Sequence, residues 1–171
     1  MNLDDLPPPE LMWAGKYVRA FKRGHWEYAS RARDIGAVVI LAESDGKMIL
    51  VEQPRVAPDC RCIELPAGLV GDEDPNATVE STAVKELEEE TGFTAERVER
   101  LGDFYSSPGM LSEAFTLVRA HGVTKMGEGG GDENEDIKVH LVARSEIPNF
   151  IEQKRAEGLG VDAKLLLLLN F

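Results

Sequence analysis

Residues 65–93 read LPAGLVGDEDPNATVESTAVKELEEETGF. A short apolar run stops at a proline and a glycine and a polar turn follows. A helical stretch then ends on four carboxylates in five positions, Glu86, Glu88, Glu89 and Glu90. That crowding needs a reason. Like charges at i,i+4 repel by about 0.2–0.5 kcal/mol per pair, and the C-terminal end of a helix dipole disfavours anions. Asp74 suits an N-cap and Pro75 the first helical position, so a helix is expected from Pro75 to Thr91, with Gly92 as its stop. At about 100° per residue, Glu86, Glu89 and Glu90 share one arc of about 100°. Glu88 points elsewhere, to solvent, while Val84 and Leu87 form a separate apolar stripe for the core. Three convergent carboxylates that offer only oxygen suit Mg²⁺ or Mn²⁺, and a divalent ion would offset their repulsion. Backbone carbonyls near Ala67 and Gly68 could face the same spot. The plainer alternative is a solvated acidic helix face.

The rest of the chain sets the frame. Its 171 residues suffice for one domain with a real core, and 43% hydrophobic with 29% charged residues is ordinary for a soluble globular protein. A net charge of -12 argues against a nucleic-acid backbone binder. It also makes an anionic ligand puzzling unless a metal ion intervenes. Cys60 and Cys62 are the only cysteines; their spacing does not suit zinc, and free thiols in the cytoplasm are expected. No signal peptide opens the chain, and the longest apolar run is too short to span a bilayer, so no membrane is expected.

Residues 1–14 carry Pro7-Pro8-Pro9 and read as an N-terminal arm; 15–31 read as two short strands. Residues 36–55 read as a hairpin around Ser44-Asp45-Gly46. Strands are expected at 62–70, after the turn in 104–120, and at 137–143, with a Gly-rich acidic loop at 125–136 and two closing helices. Hairpins with few helices argue for a mixed-sheet fold in a single domain, 1–171.

Leu65-Pro66-Ala67-Gly68 followed by Lys85-Glu86-Leu87-Glu88-Glu89-Glu90-Thr91-Gly92-Phe93 resembles a Nudix box. The second half matches six of the seven strict places of that pattern, with Lys85 where the family has Arg. The first half departs from it. Counting back from Lys85 puts the outer Glu at Ala77 and the opening Gly at Gly71. Counting forward from Gly68 puts the Glu at Asp74, with ten residues before Lys85 instead of seven. Either the loop carries three extra residues or the outer Glu is lost. Ala37–Leu50, Val51-Glu52-Gln53-Pro54-Arg55, Ser107-Pro108-Gly109 and the acidic loop resemble the ADP-ribose pyrophosphatase branch. The resemblance implies an α/β fold, an α/β/α sandwich around a mixed sheet with an N-terminal β-hairpin. It also implies a homodimer, as in many of that branch, some of which exchange N-terminal strands.

By the same resemblance the activity is hydrolysis of a phosphoanhydride in a nucleoside diphosphate derivative, ADP-ribose or a similar sugar nucleotide first. Nucleoside di- or triphosphates are the alternative, and a non-catalytic nucleotide binder a further one. Glu86 and Glu90 would be the principal ligands of two or more Mg²⁺ or Mn²⁺ ions, with Glu89 assisting and the Ala67 carbonyl completing the shell. Glu133 would be the base, with Glu135 as second choice or further ligand, on a loop whose glycines let it swing. Arg55 either forks onto a phosphate or makes a surface ion pair. Trp26 and Tyr28 either stack on a base or pack. Pro108 falls at the branch's marker proline. Lys85 reads as a brace on Glu89, and His25, His121 and His140 as structural.

Overall fold

The computed structural model describes residues 2–33, 35–72, 74–131 and 135–169. Asp45 and Gly46 both take positive φ, 51° and 73°, as a two-residue hairpin loop requires. The hairpin they close is short. Strand β4 (Ala37–Leu41) leaves it, and only β5 (Glu43–Ser44) pairs with β6 (Lys47–Arg55). The expected long pairing of β4 with β6 does not form, because both edges of β4 are taken. β8 (Ala67–Leu69) lies antiparallel on one side, and β11 (Ala114–His121) parallel on the other.

Two mixed sheets result. One runs β10 (Arg97–Tyr105), β11, β4, β8. The other runs β13 (Lys138–Ala143), β6, β7 (Cys60–Glu64), β14 (Gly160–Val161). Alternation sorts the apolar residues of β4 and β6 into two cores. Val38, Ile40 and Ile49 pack with Ala83 and Leu87 of helix α1 (Val79–Thr91). Val39, Leu41, Met48 and Leu50 pack with Ile147 of helix α2 (Ile147–Ala156) and with Leu165 and Leu168. Helices thus cover opposite faces of the sheets, in the expected α/β/α layering.

The N-terminal sheet pairs β1 (Glu10–Ala14), β2 (Val18–Arg23) and β3 (Trp26–Arg31). The hairpin of β2 and β3 is as read. β1 is the correction, since the arm supplies a third strand. All five of its residues are exposed, so backbone pairing rather than burial holds it, and apolar alternation gave no signal. The last expected helix is instead a 3-10 segment, Ala163–Leu169. Leu165 and Leu168, three apart, are 1% and 3% exposed, and that spacing suits three residues per turn.

Helix α1 starts four residues later than Pro75. Thr78 is the N-cap: its hydroxyl accepts from the Ser81 N–H at 3.1 Å, while the Thr78 N–H donates to Ser81 Oγ at 2.9 Å. Two reciprocal bonds outweigh the single cap that Asp74 offered. Asp74 instead organises a turn, accepting from the Asn76 N–H at 2.9 Å on its side chain and from the Ala77 N–H at 2.9 Å on its carbonyl. The helix ends at Gly92 in the left-handed conformation, φ 73°. Next come β9 (Phe93–Thr94) and its partner β12 (Thr124–Lys125). The glycine-rich segment after β12 docks on the helix end. N–H groups of Met126 and Gly127 donate to the Gly92 carbonyl at 2.7 and 3.0 Å, that of Gly130 to Glu90 at 2.9 Å, and that of Gly131 to Glu89 at 2.9 Å. These bonds satisfy carbonyls that a helix end leaves orphaned. A Cβ on Gly92 would run into the Gly127 carbonyl, and one on Gly129 into the Thr91 backbone.

Gly92→Ala should therefore destabilise the protein by at least about 1–2 kcal/mol, the ordinary penalty for a left-handed residue with a Cβ, with the backbone clash added. A lowered urea midpoint at unchanged m would show it.

Candidate active site

The LPAG turn and α1 meet side by side. Glu90, 3% exposed, accepts a hydrogen bond on Oε2 from the Ala67 N–H at 3.0 Å. The Glu86 side chain lies over Gly68, where a Cβ would overlap its carboxyl end. Glu89, on the rim, accepts from Lys85 Nζ at 2.8 Å, the expected i,i+4 brace. Glu88 is exposed and Leu87 fully buried, as the helical arc requires. The three convergent carboxylates line one cavity of about 710 Å³, a size typical of small-ligand sites.

The cavity is anionic. Its walls carry Glu64, Asp72, Asp74, Glu86, Glu89, Glu90, Glu113 and Glu135, against Arg31, Arg55, Lys85 and Lys164. Glu90 registers this most strongly. Burial pushes its carboxyl up, to about 8. The Ala67 N–H and Arg55 pull the other way, while the charges of Glu86 and Glu135 add to the rise. A buried carboxyl kept protonated by its neighbours is one that a cation would ionise. The donor set therefore fits a hard divalent ion: oxygens only, negatively charged, beside open space. The side chains are not already gathered on one point; among the described residues no three Asp, Glu, His or Cys side chains stand together as a metal-ligating group. Lys85 holds Glu89 aside and the Ala67 N–H holds Glu90.

Arg55 makes an ion pair with Glu64 and also faces the cavity. It forks onto Glu64, Nε to Oε1 at 2.7 Å and Nη2 to Oε2 at 2.8 Å, yet it lines the cavity with 44% of its side chain exposed. Hydrogen bonding to Glu64 raises its pKa still further, against the effect of burial. Glu135 lines the cavity as well. Glu133 lies outside the described residues. Ala67 lines the cavity and contributes its N–H to Glu90. Trp26 and Tyr28 do not line the cavity. Trp26 rests against His25 with ring centroids 4.9 Å apart, and Tyr28 stacks on Phe21 at 5.7 Å within the N-terminal sheet. Pro108 sits in a turn closed by bonds from the Met110 and Leu111 N–H groups to the Ser107 carbonyl, at 2.9 and 2.8 Å. That turn reaches the cavity through Ser106 and Glu113, not through Pro108.

Some contributors escaped the sequence reading. Glu64 is 5% exposed, and a lone carboxylate inside the apolar strand CRCIE was the available signal that a cation must face it. The ion pair of Arg31 with Glu113 joins β3 to the segment before β11, and nothing local in the sequence links them.

The motif and the sandwich agree with comparison to known proteins. The chain belongs to the Nudix family: the NUDIX domain matches residues 32–160. It is a Nudix hydrolase, related to enzymes that cleave phosphoanhydrides. It is 37% identical over 142 residues to the methanol dehydrogenase activator of Bacillus methanolicus, covering 81% of this chain and 72% of that one. It is 37% identical over 139 residues to the ADP-ribose pyrophosphatase of Bacillus subtilis, covering 80% and 71%. With the GDP-mannose pyrophosphatase of Cronobacter sakazakii it shares 35% over 147 residues, covering 81% and 73%. The crystal structure of an ADP compounds hydrolase superimposes with a TM-score of 0.66 over 86% of this chain and 82% of that one, at 22% identity. No helix among the described residues is long and apolar enough to cross a membrane.

The Glu90 shift has a sign that can be tested. Between pH 4.5 and about 8 the folded state holds a proton on Glu90 that the unfolded state has released. Its contribution to stability is complete below the unfolded value and is lost as pH rises towards 8, by up to about 1.4 kcal/mol per pH unit. Thermal unfolding in chelator should show that loss in the parent and not in Glu90→Gln, and added Mg²⁺ should stabilise the parent more at pH 8 than at pH 6.

Proposed function

We propose that the protein hydrolyses the diphosphate linkage of a nucleoside diphosphate sugar, with ADP-ribose and GDP-mannose as the leading substrates, in the presence of Mg²⁺ or Mn²⁺. The observation that carries this reading is the buried Glu90, set beside Glu86, Glu89 and Glu135 in an acidic cavity that also exposes Arg55. The names of the relatives favour a sugar nucleotide over a simple nucleoside di- or triphosphate.

The geometry supports one division of labour. Glu86 and Glu90, steadied by Gly68 and the Ala67 N–H, would hold the ions, with Glu89 released from Lys85 to assist. Bound divalent ions neutralise phosphate oxygens and lower the pKa of the attacking water. Arg55, already presented in a fork by Glu64, would orient a phosphate. Glu135, facing the same space, would take the proton from water or add a further ligand; Glu133 is the other candidate for the base. Water adds across the P–O–P bridge, so each product leaves with one phosphate. ADP-ribose would give AMP and ribose 5-phosphate, and GDP-mannose would give GMP and mannose 1-phosphate.

Incubation with ADP-ribose, GDP-mannose, CDP and CTP, followed by product identification, tests the reading. Sugar phosphate plus nucleoside monophosphate is expected. Release of orthophosphate or pyrophosphate would favour the nucleotide alternative, and tight Mg²⁺-dependent binding without turnover would replace the enzyme by a binder. Glu90→Gln should lower kcat at least about 100-fold, beyond the roughly 10–100-fold seen when only a ligand's neighbour is lost; a near-parental rate would remove Glu90 from the site. We also propose a homodimer, for which the exposed Leu11, Met12, Trp13 and Trp26 of the N-terminal sheet offer an apolar surface. Sedimentation should show a dimer, and a monomer at working concentrations would refute it.

A further inference from the structure

Glu52 is 4% exposed on β6, and three of its four side-chain partners lie 86 to 102 residues further along the chain. Its carboxylate receives Arg61 Nε at 2.8 Å and stands 3.0 Å from His140 Nε2, with Lys138 and Lys154 Nζ each at 3.4 Å. Burial alone would raise its pKa, but bonds from Arg61, His140 and Lys154 more than compensate and hold it at about 2. Arg61 does not stop at Glu52. Nη1 donates to Asp136 Oδ2 at 2.6 Å, and Nη2 donates to the Asp136 carbonyl at 3.0 Å and the Glu52 carbonyl at 3.1 Å. One guanidinium therefore grips a loop residue by side chain and backbone together, while a buried carboxylate fixes the guanidinium.

Asp136 follows Glu135, which lines the carboxylate cavity. The other side of the loop is fastened too. Gly130 and Gly131 bond to the carbonyls of Glu90 and Glu89, and the Ile137 N–H donates to the Gly130 carbonyl at 3.3 Å, closing the neck. The Glu135 side chain lies against Gly131. Glu135 is thus suspended between an anchor on α1 and an anchor on Arg61.

We propose that Arg61 is a positioning residue: locked onto Glu52, it holds Asp136 and thereby sets Glu135 against the carboxylates of α1. This rests on the reading of the cavity as a hydrolytic site. The fork matters, because a lysine concentrates its charge at one point, whereas the guanidinium spreads its donors to reach Glu52 and both Asp136 groups.

The test uses the full chain with Mg²⁺ and whichever sugar nucleotide turns over. Arg61→Met and Asp136→Ala should each lower kcat by about tenfold or more while KM stays within about twofold. Arg61→Lys should recover only part of the loss. Asp136 is 70% exposed, so its truncation spares the core even if Arg61→Met folds poorly. In a Glu135→Gln background Asp136→Ala should cause no further loss, since both changes act through one carboxylate. A parental kcat in Asp136→Ala, or losses that multiply in the double variant, overturns the proposal. Mn²⁺ affinity by electron paramagnetic resonance gives an arm independent of turnover. If the parent hydrolyses nothing, the functional reading is what fails, and the Mn²⁺ arm alone decides on Arg61. Equal weakening by Glu135→Gln and Asp136→Ala supports it, and unchanged affinity in both refutes it.

Discussion

A hydrogen bond joins the two halves of the site: the Ala67 N–H donates to the Glu90 carboxyl. It ties the β8 turn to the last turn of α1 and places a titratable group where water barely reaches. A buried carboxylate without compensation is costly, and here the surroundings make the cost worse, because Glu86 and Glu135 bring like charge. A divalent cation bound there would offset this clustering of negative charge. The -12 net charge, so awkward for a protein that handles phosphates, is understandable on the same ground: cations bound among the anions of this cavity would let an anionic substrate approach.

The second constraint is how a loop far along the chain is brought to that helix. Its glycines serve close approach. The segment from Met126 to Gly131 lays its N–H groups on the carbonyls at the end of α1, and at Gly129 a residue with a side chain could not come so near. Sequence reading took the same glycines as a source of mobility. The docked geometry gives them the opposite role on the N-terminal side of the loop, where they anchor it. On the other side Arg61 does the holding, with Glu52 behind it.

What was legible in the sequence was whatever a local period could carry. Glu86, Glu89 and Glu90 share a face, Leu87 enters the core, Glu88 faces water and Gly92 ends the helix, all from a turn of about 100° per residue. The start of α1 was harder because two sound local signals compete within five residues, Asp74-Pro75 and Thr78 with Ser81, and only the reciprocal bonding of the second decides. The partners of β4 were not legible at all: β8 and β11 arrive from 26 or more residues away, and an all-apolar strand does not name its neighbours. The cluster around Glu52 draws on positions 61, 138, 140 and 154, a set that no window along the chain contains. Strand β1 was missed because pairing without burial leaves no hydrophobic trace.

Gly68 has a consequence of a different kind. It is the position over which the Glu86 carboxyl rests, and the atoms that a methyl group there would meet belong to the far end of a flexible side chain rather than to backbone. The scaffold could absorb an alanine by swinging that carboxyl away, but a cation held by Glu86, as proposed, would lose that ligand. On the proposed role of Glu86, architecture and turnover are separable at one codon: a single-base change would spare the sandwich and weaken the hold on cations, a short route by which such a hydrolase could drift into a ligand sensor.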